Sequence, residues 1–303
     1  MRFRRNHTLQ KSAMCKMGGD CKAEMQTYTF SAFSVILRHI KASNLKIEIL
    51  VGIMKLDFYY YSYQCPLNDD MIRLLDEYKD KIDICYHDVA NDFQLAKELK
   101  MFFPTLVVLN SKKRYYSPLR RTFLEHVAAE KYPEEKPYLP PLSKKVVTKY
   151  VEPLNGNNVG LACNCCGNGT QSNRCKKAQF LKMNLAEPYG FIHKNETGCL
   201  IGGAEYLPAK IVPYNIPHDS KTAFITCVYM SDSEYDYKTA PLQALEHYLC
   251  GQYTRAIAIA DEKGVFPNGD LCFFIRNGYR DEGVIFKDAG YCSLHLVSKQ
   301  LVP

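Results

Sequence analysis

Thirteen cysteines in 303 residues are the first chemistry the chain offers. Four of them, Cys163, Cys165, Cys166 and Cys175, fall in one short stretch, and thiolates serve as zinc ligands or as nucleophiles. Zinc sites are built from paired Cys-x2-4-Cys knuckles, and only one half of this stretch resembles a knuckle, so no metal is assigned and free thiols are expected. A further thiol, Cys65, sits in Gln64-Cys65-Pro66 between an apolar strand pattern and a helix, and a helix N-terminus lowers a thiol pKa. Position 68 is Asn, so the resolving thiol of a Cys-x-x-Cys pair is absent. A binding or scaffold role for Cys65 is therefore preferred over monothiol redox chemistry. The third candidate is the run Thr222 to Tyr279. Its strands feed helices, and the unpaired N–H groups of a helix N-terminus suit an anionic ligand.

Those residues need elements to hold them. From Met54 the pattern reads strand (Leu56 to Tyr61), helix (Asp69 to Lys79), strand (Ile82 to Val89), short helix (Asn91 to Leu99), strands (Thr105 to Leu109, Lys113 to Tyr116) and helix (Arg120 to Glu130). Lys131 to Ser143 holds Pro133, Pro137, Pro140 and Pro141 among charges and reads as a linker. Beyond it come a strand (Lys145 to Val151), a helix (Arg174 to Met183) and strands at Gly190 to Lys194 and Gly198 to Pro208. A proline-rich loop, Ile211 to Ser220, precedes the strand Thr222 to Met230. The pattern closes with a helix (Pro241 to Cys250), a strand (Arg255 to Ala260), a helix (Asn268 to Asn277) and strands at Gly283 to Asp288 and Ser293 to Ser298. The expected domains are 54–130 and 144–303, joined by 131–143. Residues 1–53 read as a loose extension or a start assigned too early.

Composition narrows the class. Apolar residues make up 47% and charged residues 23%, as in ordinary globular proteins. The net charge of +7 comes partly from Arg2, Arg4, Arg5, Lys11, Lys16 and Lys22, which leaves the remainder mildly basic and without a nucleic-acid signature. No segment approaches the ~20 apolar residues of a membrane span; Phe30 to Leu37 is stopped by Arg38, His39 and Lys41. Cys85, Cys227, Cys250 and Cys272 sit inside apolar patterns, where a free thiol behaves as a small hydrophobe. That usage fits a reducing cytoplasm.

Three segments carry a resemblance to a known superfamily: Gly203-Ala204-Glu205-Tyr206-Leu207-Pro208-Ala209, Phe224-Ile225-Thr226-Cys227-Val228-Tyr229-Met230-Ser231 and Cys272-Phe273-Phe274-Ile275-Arg276-Asn277-Gly278-Tyr279. They resemble the GNAT acetyltransferases, most closely the YoaP-like branch, over roughly the last half of the chain. The resemblance implies a mixed sheet flanked by helices, acetyl-CoA as cofactor and a small-molecule amine acceptor. It places Glu205 as general base and Tyr229 in the acceptor channel. Cofactor contacts are implied at Cys227, Val228, Tyr229, Met230, Asp236, Tyr237, Lys238, Thr239, Asn268 and Phe273. The superfamily's phosphate loop carries two glycines. Here the matching positions are Ser233, Glu234, Tyr235, Asp236, Tyr237 and Lys238, so two carboxylates lie where phosphate charge would sit. Lys238 is placed to pair with a phosphate, and Thr239 to cap the helix. The tyrosine general acid of many such enzymes is Phe274 here, which donates no proton.

The first domain resembles a thioredoxin-fold module, on Gln64-Cys65-Pro66 and on Phe102-Phe103-Pro104-Thr105-Leu106-Val107. The latter is similar to the loop that presents a cis proline to the thiol, which pairs Cys65 with Pro104. The expected fold class is thus α/β in two domains, an N-terminal thioredoxin-like α/β sandwich and a C-terminal GNAT-like mixed sheet. The leading functional expectation is N-acetyl transfer. A noncatalytic GNAT-fold binding protein and a monothiol oxidoreductase centred on Cys65 are the alternatives.

Overall fold

Alternation along β1 (Lys55–Tyr60) sends Leu56 and Phe58 to one face and Asp57 and Tyr59 to the other. The computed structural model describes residues 53–61, 65–137, 139, 143–165, 175–229, 233–265 and 268–302. The extension 1–52, Cys166 and Met230 lie outside the described residues. A four-stranded sheet joins β1 to β2 (Asp83–Asp88), β3 (Thr105–Leu109) and β4 (Lys113–Tyr115) in the order β2-β1-β3-β4. β1 runs parallel to β2 and antiparallel to β3. Helices α1 (Leu67–Asp76), α2 (Phe93–Glu98) and α3 (Arg121–Ala128) complete this part. Leu56 and Phe58 pack with Met71 and Leu75 of α1 and with Leu124 and Val127 of α3.

The larger sheet has seven strands: β5 (Val151–Leu154), β6 (Gly190–Lys194), β7 (Leu200–Pro208), β8 (Thr222–Tyr229), β9 (Arg255–Asp261), β10 (Arg280–Asp288) and β11 (Cys292–Gln300). Their order is β10-β11-β9-β8-β7-β6-β5. All neighbours are antiparallel except β8 and β9. A parallel pair needs a crossover. It is supplied by α5 (Thr239–Leu249), whose Leu242, Leu245 and Leu249 cover one face together with Phe273 and Phe274 of α6 (Leu271–Arg276).

The opposite face buries Leu207, Phe224, Ile257, Ile259 and Leu294 beneath the short turn Val159–Asn164, α4 (Lys176–Asn184) and the second face of the small sheet. Tyr214 sits at that junction, its ring centroid 5.6 Å from Tyr61, 6.2 Å from Phe102 and 5.9 Å from Phe224. Polar ties flank it: the Tyr61 hydroxyl donates to the Ile211 carbonyl, and the Tyr116 hydroxyl donates to Asp288.

Several sequence expectations need correction. The strand expected at Lys145 to Val151 is reduced to an isolated bridge, Val146 with Asp236, and the true strand begins at Val151. Tyr150, at φ 59°, breaks the extended run between them. The helix expected from Asn268 starts only at Leu271, because Asp270 caps it by accepting the Phe273 N–H at 2.7 Å. The Phe103–Pro104 bond is not cis; among the described residues the cis bond is Glu187–Pro188.

Since both sheets feed one core, Tyr214→Ala is expected to cost about 3–5 kcal/mol, as for other buried aromatics. Denaturation followed by both fluorescence and circular dichroism should show one coincident transition; a separate early transition of either sheet would contradict the shared core.

Candidate active site

Pairing between β8 and β9 covers only Thr222 with Arg255, Ala223 with Ala256 and Phe224 with Ile257. Both strands continue, to Tyr229 and Asp261, without pairing further. At the level where they part, the β7–β8 register slips between Glu205 and Tyr206, so Thr226 is an extra residue on β8. A bulge bends and twists its strand, which directs β8 away from its parallel neighbour. Among the described residues, one side chain bridges the gap. Asn268 donates through Nδ2 to the carbonyls of Ile225 and Ile259 at 3.3 and 3.4 Å, and its Oδ1 accepts the Val228 N–H at 3.2 Å. The carboxamide thus offers the donor and acceptor that a neighbouring peptide group would have offered.

The bulge also decides which side chains share a face. Without it, Phe224, Thr226 and Val228 would point one way. With the extra residue, Cys227 and Tyr229 join Phe224 on the α4 side, opposite Glu205. Glu205 is 1% exposed and Lys177 3% exposed, and the two form an ion pair at 2.8 Å. Lys177 Nζ also lies 3.6 Å from the Cys165 sulfur and 5.5 Å from the Tyr229 ring centroid. Gly203 makes room for that ring, since a Cβ there would fall 2.5 Å from the Tyr229 hydroxyl.

Burial raises the Glu205 pKa above the carboxylate range, and the Lys177 ammonium pulls against that shift. Burial would strip Lys177 of its proton, yet Cys165, Glu205 and Cys227 around it hold its pKa well above the ordinary lysine value. Burial and the neighbouring Glu205 likewise push the Tyr229 hydroxyl up. Glu205 Oε1 and the Tyr229 hydroxyl are both buried and neither makes a well-aligned hydrogen bond. Such atoms are costly in a dry core, and their presence marks a place where polar work is done. Cys163 and Cys175 form a disulfide that ties the turn Val159–Asn164 to the start of α4, which corrects the expectation of free thiols at those two positions.

The N-terminus of α5 holds an anion of its own making. Asp236 Oδ1 accepts the N–H groups of Lys238 and Thr239 at 2.8 and 3.0 Å, and Oδ2 accepts the Thr239 hydroxyl at 2.7 Å. The cap is therefore Asp236, and Thr239, expected to cap, is its donor. Lys238 is only 4% exposed, and among the described residues its ammonium makes no hydrogen bond or ion pair. It lies 5.8 Å from the Phe273 ring centroid. A Cβ at Gly269, where φ is +111°, would come within 3.5 Å of the ammonium. Burial lowers the Lys238 pKa, with Asp236, Cys227 and Asp270 opposing the shift.

Most of the expected cofactor residues therefore meet around the gap: Cys227, Val228, Tyr229, Asp236, Lys238, Thr239, Asn268 and Phe273. Tyr237 turns elsewhere, its ring 5.6 Å from that of His193 and its carbonyl over Gly202. Cys65 is half-buried ahead of α1, and the carbonyl of Pro104 accepts the Tyr61 N–H. Both belong to the small sheet's side of the molecule. At position 68, the Asn that replaces a second thiol is buried and donates to the Tyr61 carbonyl. Lys177 escaped notice in the sequence, where Lys176-Lys177 reads as a solvated pair, and Cys165 stood out there only as one of the clustered thiols. Among the described residues no cluster of His, Cys, Asp and Glu is placed to hold a metal, and no helix is long and apolar enough to cross a membrane.

No protein-family model matches the chain, and no curated protein matches it. Solved structures similar to it include a GNAT-family acetyltransferase from Bacillus cereus, at 13% identity over 50% of this chain and 97% of that one, with a TM-score of 0.35. Aminoglycoside 6'-acetyltransferase type Ii is similar at 14% identity, over 50% and 97% of the two chains, with a TM-score of 0.35. A ribosomal-protein-alanine N-acetyltransferase from Brucella melitensis is similar at 14%, over 50% and 99%, with a TM-score of 0.36. At this level of similarity none of those proteins' activities transfers to this chain.

A buried ammonium that makes no hydrogen bond or ion pair among the described residues weakens the folded state. Because the folded pKa of Lys238 is depressed, the unfolded chain binds the extra proton, and wild-type stability should rise with pH through the window up to the ordinary value of 10.5. Lys238→Met is expected to raise stability near neutral pH and to flatten that pH dependence. Chemical denaturation across pH checks it; a less stable variant would show that the ammonium is paired.

Proposed function

We propose that the protein is an N-acetyltransferase of GNAT type that moves an acetyl group from acetyl-CoA to a small amine. The observation that carries this reading is the separation of β8 from β9 after three paired residues, at a bulge, beside the buried Lys238 ammonium, which among the described residues makes no hydrogen bond or ion pair. The gap offers the Val228 N–H and the carbonyls of Ile225 and Ile259 to an extended ligand arm, with Asn268 moving aside or sharing them. Lys238 and Phe273 would hold the arm further out. Acetyl-CoA supplies an activated thioester; the residues of the chain orient it and manage one proton.

In the transfer, the amine nitrogen bonds to the acetyl carbon, the carbon–sulfur bond breaks, and the amine proton ends on the departing sulfur. Glu205, whose Oε1 makes no well-aligned hydrogen bond and whose pKa is raised by burial, is the proposed proton acceptor. Lys177 fixes its other oxygen, and the Tyr229 hydroxyl lies beside it as the relay back to sulfur. Backbone N–H groups of Cys227 to Tyr229 are the proposed donors to the developing oxyanion. The small sheet, in the order β2-β1-β3-β4, is proposed as a thioredoxin-like scaffold. Its Tyr61 and Phe93 pin the 211–218 loop that would shape the acceptor pocket, by contacts to Ile211, Tyr214 and His218.

Asn268 and Asp236 favour a second reading, a GNAT-fold binding protein without catalysis, because each occupies backbone groups that a donor would use. Calorimetric titration with acetyl-CoA, followed by a transfer assay over a panel of polyamines and aminoglycosides, separates the two. Glu205→Gln is expected to lower kcat by roughly 100-fold or more while donor affinity stays within about threefold. Since the single substitution leaves Lys177 unpaired, the double variant Lys177→Met/Glu205→Gln is the fold control. Unchanged kcat in the single variant would remove Glu205 from the chemistry.

A further inference from the structure

A donor carrying a nucleotide diphosphate needs somewhere to place two adjacent phosphate charges. The usual solution for phosphate is the free N–H groups of a helix N-terminus. In this chain α5, eleven residues long, begins beside the β8–β9 gap, but two of its leading N–H groups and the Thr239 hydroxyl already bind the Asp236 carboxylate. The cap is satisfied and carries a full negative charge, so a diphosphate there meets repulsion and finds those amides taken. Near the gap, beside Gly269 and the Phe273 ring, lies Lys238, an ammonium 4% exposed with no hydrogen bond or ion pair among the described residues. Asp236, Asp270 and Cys227 are the titratable groups around it. Asp236 is committed to the α5 cap and Asp270 to the Phe273 N–H.

We infer that the site recognises the 4′-phosphopantetheine thioester arm through Lys238, and that the adenosine diphosphate end of coenzyme A adds little. This rests on the acyl-thioester reading above and narrows it to a class of donor: any acyl 4′-phosphopantetheine, with or without its nucleotide. A single phosphate matches a single buried cation. The extended arm matches a gap lined by Ile225, Val228 and Ile259, whose backbone groups are now bridged by a side-chain carboxamide.

The test is calorimetric binding of three probes to the full chain: acetyl-CoA, S-acetyl-4′-phosphopantetheine and S-acetylpantetheine. The first two are expected to bind within about threefold of each other, and the third about 10- to 100-fold more weakly, the value of one charge-assisted hydrogen bond. In Lys238→Met the gap between the second and third probes should close to about onefold. Asp236→Asn should shift preference toward acetyl-CoA by about tenfold, as the repulsive charge leaves the helix N-terminus. If acetyl-CoA binds the native chain more than about 30-fold tighter than the phosphopantetheine probe, the inference falls while the acyltransferase reading stands. The diphosphate would then have to sit elsewhere, for instance in the cleft where Lys144, Lys263 and Arg276 stand with Glu262 and Asp270. If none of the three probes binds, both fall. If Asp236→Asn fails to fold, the Lys238→Met comparison still decides the matter.

Discussion

The Asn268 carboxamide stands between two strands that would otherwise pair. Bonded to the Val228 N–H and to the carbonyls of Ile225 and Ile259, it lets β8 and β9 run side by side as a parallel pair for three residues and then part without leaving those backbone groups bare. Unpaired buried peptide groups would each cost about 1–3 kcal/mol, so a gap inside a sheet survives only if something satisfies its edges. Everything proposed for the chemistry follows from that gap. The Thr226 bulge that bends β8 away also rotates Cys227 and Tyr229 onto the face that carries Glu205.

Charge placement on the two sides of the gap is unequal. On one side, Lys177 and Glu205 form a buried pair beside the Cys165 sulfur and the Tyr229 ring. A buried pair of this kind is weak evidence for stability, because desolvation of both ions consumes most of the Coulomb gain. Its value lies in holding Glu205 in one orientation, with its other oxygen on the Tyr229 side. On the other side Asp236 closes the α5 terminus, and Lys238, beside the Phe273 ring, makes no hydrogen bond or ion pair among the described residues. The small sheet adds to the first side by burying Tyr61, Phe102 and Phe103 against the same core.

Much of this was legible in the residues. Every strand and helix of the small sheet lies where hydrophobic alternation and spacing placed it, within three residues at either end. Residues 190–194 and 222–229 were equally clear, because β-branched and aromatic runs bounded by breakers have few other readings. The bulge was not legible: β8 is buried along its whole length, so no alternation betrays the extra residue or says which way Tyr229 points. The Lys177–Glu205 pair was hidden for a related reason. Its members are 28 positions apart, and a Lys-Lys sequence at a helix start is ordinarily solvated. Asp236 was visible as an unwelcome charge in a phosphate loop, but its role as a cap needs the loop geometry. The expected strand at Lys145 failed because its run of valines meets only one bridge partner, and Tyr150 turns the chain before β5 begins.

The most direct measurement is site-resolved amide NMR of the full chain titrated with acetyl-CoA. If the gap seats the donor arm, the largest changes will fall at the Val228 N–H, the Asn268 side-chain amide and Lys238, as the ligand displaces or shares the carboxamide's bonds. Changes confined to the small sheet around Cys65, or a titration that leaves Val228 and Asn268 unmoved, would contradict the account.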